Sequence, residues 1–134
     1  MEVLQRITSI VSWYKSIPAD FIDLNMVLHK RKMLATEMFE LSVEAGKARG
    51  EWKRKEREYS VKRTQLCKKW ESKGTTKADW YAKANTEDEH IEMNQAEEIF
   101  YSIDYIVKSV REVLADMNQK IAYLRQEKEN SKVT

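Results

Sequence analysis

Glycine occurs three times and proline once in 134 residues, so the chain has almost nothing that breaks a helix or turns a hairpin. That scarcity excludes strand-and-turn folds and leaves long helices as the economical solution. Cysteine occurs once, as Cys67, which rules out an intrachain disulfide and leaves no CxxC pair for zinc. No catalytic signature surrounds it, so it reads as a spectator thiol on a helix. No apolar run approaches the roughly 20 residues that span a bilayer, and no basic leader precedes a small-residue cleavage site. The expectation is a soluble, cytoplasmic protein with no membrane partner.

The motifs of common chemistries are missing as well. There is no P-loop, no GxSxG and no HExxH. One E-x-x-H, Glu87 and His90, has Glu97 one or two turns beyond, but a di-iron bundle needs two such motifs, and His29 has no correctly spaced glutamate before it. The chain therefore reads as no enzyme, with no cofactor and no metal.

What is present is charge, at 34% of residues, and helical periodicity, with hydrophobic residues at 42%. The length suits a single all-α domain built as a long-helix hairpin or bundle. Val3, Leu4, Ile7, Ile10, Val11 and Tyr14 form one apolar face and predict a short helix over 1–15. Pro18 then opens a long helix over 19–73, with a bend near 46–50 at Gly46 and Gly50. Gly74 suits the positive-φ residue after a helix end, and Thr76 with Asp79 resembles a capping box before a short helix over 77–84. Thr86 with Glu89 makes a better capping box for a last helix over 87–128, and the polar residues 129–134 read as a frayed tail. Along that last helix Ala96, Ile99, Ile103, Ile106, Val110, Val113, Met117, Ile121 and Leu124 step by three and four. This is a coiled-coil-like seam. Its members from Ile99 to Leu124 are expected to hold copies of the chain together as an oligomer.

The net charge of +2 conceals two opposed blocks. From Lys47 to Lys69 there are ten Lys and Arg against three Glu, and from Thr86 to Asp104 there are seven acids and no Lys or Arg. Such blocks can pair within a hairpin, pair between subunits, or leave the basic one free for an anionic ligand. On a helix Trp52, Tyr59 and Leu66 share one face, while Lys55, Lys62 and Lys69 occupy the line that an ordinary coiled coil would make apolar. Phosphates suit the cations, and exposed aromatics offer faces for unpaired bases; the same aromatics could equally pack a thin seam.

The segment AGKARGEWKRKEREY, followed by the interruption over 75–84 and a long helix ending VLADMNQKIAYLRQE, resembles the UvsY-type recombination mediator proteins of tailed phages. The resemblance rests on organisation and on the pattern Lys47, Ala48, Arg49, Gly50, Glu51, Trp52; the Gly46/Gly50 pair and the N-terminal helix depart from it. It implies a non-enzymatic, oligomeric protein that binds single-stranded DNA and helps load a recombinase onto strands covered by single-strand-binding protein, in the host cytoplasm if phage-encoded. Carried over by residue, Lys47, Arg49, Lys53, Arg54, Arg57, Lys62 and Arg63 would contact phosphates, and Trp52 and Tyr59 would stack or pack. The alternative is a helical scaffold or inhibitor whose targets are proteins and whose basic block merely balances the acidic one.

Overall fold

The computed structural model describes residues 2–133; Met1 and Thr134 lie outside the described residues. It is all-α: α1 (Glu2–Ser16), α2 (Leu24–Lys69), α3 (Thr75–Ala84) and α4 (Glu87–Val133), with 3-10 turns at Ala19–Phe21 and Glu71–Lys73. No strand occurs among the described residues, and no helix among them is long and apolar enough to cross a membrane.

Several boundaries differ from the sequence expectation, each for a local reason. Pro18 starts a 3-10 turn rather than the long helix, and α2 begins five residues later than expected. There the Asp23 carboxylate accepts a hydrogen bond from the Met26 amide at 3.0 Å, which satisfies one of the orphan donors of the first turn. The helix runs without interruption through Gly46 and Gly50. Each costs roughly 1 kcal/mol relative to alanine, which so long a helix absorbs. Gly74 takes φ 97°, the positive value only glycine reaches cheaply, and serves directly as N-cap of α3. The Thr76–Asp79 box does not form, because the helix starts at Thr75 and Asp79 is drawn to Arg63. Thr86 is buried, and its hydroxyl donates back to the Ala82 carbonyl at 2.7 Å, closing the end of α3. The expected frayed tail is helical to Val133, in keeping with its Gln, Glu and Lys content and the Tyr123–Glu127 hydrogen bond at 2.8 Å.

Contacts gather the chain into two compact units, one of residues 1–43 and 104–134 and the other of residues 44–103. The first unit has an aliphatic core. Val3, Ile7 and Ile10 of α1, Val27, Leu34 and Leu41 of α2, and Val107, Val110, Met117 and Ile121 of α4 are all buried. Full burial of such a side chain stabilises by about 1.5–3 kcal/mol. Polar contacts fix the rims: Arg6 meets Glu37 at 2.9 Å and Glu40 at 2.8 Å, Lys30 lies over the Trp13 ring at 5.3 Å, and the Tyr14 hydroxyl donates to Asp116 at 2.6 Å. Since Arg6 precedes Trp13 but meets later α2 residues, α1 and α2 run antiparallel.

The second unit pairs the later part of α2 with the early part of α4, bridged by α3. Its buried residues are small: Ala78, Ala82 and Ala96, with Ile103 and Thr86. Aromatic pairs and ion pairs fill the role that aliphatic volume has in the first unit. Trp52 stacks on Phe100 at 5.6 Å, Tyr59 meets His90 at 5.1 Å, and Trp70 stacks on Tyr81 at 4.5 Å. Later α2 residues meet earlier α4 residues, so this pair is antiparallel too.

Candidate nucleic-acid interface

The basic stretch of α2 divides into two sides. Turned towards α4 and α3 are Lys55, Lys62 and Arg63. Lys55 bonds Glu92 at 2.9 Å, Lys62 bonds Glu89, and Arg63 reaches Asp79 at 2.9 Å and the Tyr59 hydroxyl at 2.9 Å. These contacts shift the groups involved: the hydrogen bond from Lys62 holds the Glu89 carboxyl below its usual range, and the hydrogen bond to Glu92 raises Lys55. Part of the acidic block is thereby consumed inside the unit, as a charged zipper between two helices.

The other side keeps its charge. At about 100° per residue, with Arg49 as origin, the arc from 0° to roughly 160° holds Gly46, Lys47, Arg49, Gly50, Lys53, Arg54, Arg57, Ser60, Val61, Thr64, Gln65, Cys67 and Lys68. No acid falls in it. Lys47, Arg49, Arg54, Arg57 and Lys68 are exposed and Lys53 is half-buried. Carboxylates at or beyond its borders engage three of them: Lys47 with Glu44 at 3.4 Å, Lys53 with Glu56 at 3.5 Å, and Arg54 with Glu51 at 2.7 Å and Glu58 at 2.6 Å. Such pairs at three- and four-residue spacing on a solvated helix are weak and yield readily to a better anion. Arg49, Arg57 and Lys68 have no carboxylate partner among the described residues.

The structure thus separates the sequence-predicted site residues. Lys47, Arg49, Lys53, Arg54 and Arg57 lie together on the open arc, whereas Lys62 and Arg63 are turned to the acids of α4 and α3 and are not free phosphate contacts. Trp52 and Tyr59 pack rather than offer open faces. Trp52 packs against both Phe100 and Tyr101, with its Nε1 buried, and Lys53 sits 4.1 Å above its ring. Lys68 belongs to the arc and was missed; scanning the helix for a sector without acids, rather than for a dense run of cations, would have found it.

The expected assembly seam is also placed. Ile103, Val110, Met117 and Ile121 are buried within the chain's own core, Ile106, Val113 and Leu124 are half-buried, and Ile99 is 58% exposed. A copy-to-copy contact through the whole seam would have to open that core. The periodicity was genuine, but its main partners are helices of the same chain.

Glu87 and His90 both line a cleft in the second unit. No three metal-capable side chains converge among the described residues. No family model, curated protein or solved structure matches the chain.

Proposed function

We propose that the chain binds single-stranded nucleic acid through the acid-free arc of α2, with Arg49 and Arg57 as its principal phosphate contacts and Lys47, Lys53, Arg54 and Lys68 around them. The observation that carries this reading is the partition of charge around one helix. Lysines that the hairpin needs are matched by α4 acids, while six further cations share an arc without a single carboxylate. A helix that needed charge only for solubility would spread both signs over its open face; on α2 the exposed acids Glu51 and Glu58 sit together beyond one border of the arc. Each phosphate neutralised releases counterions, so affinity comes from several weak contacts and falls steeply with salt. The wider role, assisting a recombinase on strands covered by single-strand-binding protein as an oligomer, is supported by the Lys47-Ala48-Arg49-Gly50-Glu51-Trp52 pattern alone.

A second reading, a helical module that binds other proteins, is favoured by large apolar side chains left open in the first unit, notably Phe39 at 74% and Tyr105 at 72% exposure. The same side chains could serve self-association. Fluorescence anisotropy of a labelled single-stranded oligonucleotide, at low and at moderate salt, separates the two readings. Salt-sensitive binding is expected; no binding at low salt would leave the protein-binding module in its place.

A further inference from the structure

The second unit contains a cleft of about 710 Å³, a size within the range of small-ligand sites, walled by Arg63, Asp79, Trp80, Lys83, Glu87 and His90. Trp80 is the unusual member. Helix α3 docks through Ala78 and Ala82, which are buried, and through Tyr81, which stacks on Trp70. Trp80 meets only the edge of Tyr81, at 5.1 Å, and remains 64% exposed. The fold leaves most of a large flat ring at the lip of a polar cleft.

The remaining walls narrow the ligand class. An isolated anion would face Asp79 and Glu87, and an isolated cation would face Arg63 and Lys83. A purely apolar ligand would strip water from all four. What fits is a flat, uncharged ring with its own donors and acceptors, attached to phosphate. Glu87 has no ion-pair partner among the described residues and can accept from ring or amino N–H groups, and Lys83, likewise unpaired, can meet a flanking phosphate. We infer that this cleft is a subsite for one unpaired nucleobase of a bound strand, which stacks on Trp80. The inference rests on the nucleic-acid reading above and adds what that reading lacks. Arg63 lies about 40° around α2 from the edge of the cationic arc, so a strand whose phosphates follow the arc passes beside the cleft. Phosphate contacts alone hold a duplex as readily as a single strand; a subsite for a base out of its pair selects the single strand.

The test titrates labelled oligonucleotides with the wild-type chain, Trp80→Ala and Trp80→Phe, using an ordinary strand and an abasic sugar-phosphate strand of equal length. Deoxyribose and ribose versions identify which polymer supplies the base. Trp80→Ala is expected to weaken ordinary-strand binding about tenfold, to leave abasic-strand binding unchanged, and to be largely rescued by Trp80→Phe. Circular dichroism should match wild type, because the side chain lies mostly in solvent. If Trp80→Ala binds the ordinary strand as well as wild type does, or loses affinity equally for both strands, the subsite is overturned while the cationic arc stands. If the wild-type chain binds neither strand at low salt, the arc falls and takes the subsite with it.

Discussion

One seven-residue register on α2 tells the two units apart. It runs Val27, Leu34, Leu41, Ala48, Lys55, Lys62: three buried aliphatics in the first unit, then alanine and two lysines in the second. On α4 the matching register runs Met117, Val110, Ile103, Ala96, Glu89, from buried aliphatic to the acid that takes Lys62. A single helical periodicity thus carries two kinds of glue. In the first unit shape and burial decide the packing, and the contribution is large and indifferent to salt. In the second, charge pairing and ring stacking close the helices, which contributes less but leaves the backs of the helices free to carry unbalanced charge. Regions with few buried apolar contacts are also where local opening occurs and where ligand-binding surfaces tend to lie.

The largest expected effect that sharpens this contrast is in the aliphatic register. Leu34→Ala should destabilise by about 2–5 kcal/mol in urea unfolding, because Leu34 is fully buried and a cavity replaces it. A loss below about 1 kcal/mol would mean that the first unit is loosely packed and the contrast false.

A smaller effect follows from protonation. Glu89 is held below its ordinary value of 4.5 by the hydrogen bond from Lys62, and Glu51 is lowered by its hydrogen bond from Arg54. A carboxylate with a lowered folded pKa stabilises above its unfolded value and loses that contribution as pH falls through the folded one. In the first unit the Tyr14 hydroxyl is raised by burial and by its hydrogen bond to Asp116. Its contribution is therefore present at neutral pH and is lost on the alkaline side. Amide hydrogen exchange, corrected for intrinsic rates, should show protection falling first in residues 44–103 as pH drops below about 4.5. Equal loss in both units would contradict the charged-zipper account.

The helical class and the α4 seam were legible in the sequence because three-and-four spacing survives any context. What the seam packs against was not legible. Periodicity shows that a face is apolar, and Ile103 or Val110 reads the same whether it meets α1, α2 or another copy. The start of α2 was not legible from Pro18, whose fixed φ suits the opening of a 3-10 turn as well as that of an α-helix; Asp23 is the residue whose side chain caps the first turn. Thr86 shows the opposite error: a good capping pattern whose hydroxyl finds the carbonyls of α3 closer. The basic stretch was visible as a block, but its division into an inward zipper and an outward arc depends on knowing which side α4 covers. Trp80 gave no signal, since an aromatic on a short helix is ordinarily core.

The central claim is that position around α2, and not charge count, decides which cations serve a ligand. Its most direct test compares two variants that each remove two positive charges, Arg49→Gln/Arg57→Gln on the open arc and Lys55→Gln/Lys62→Gln on the zipper, by the salt dependence of single-strand binding. The arc variant should bind more weakly, with its log–log salt slope reduced by about 1.4, roughly 0.7 for each lost phosphate contact. The zipper variant should keep the wild-type slope. Equal slope losses in the two variants would contradict the account, because the strand would then be sensing net charge alone.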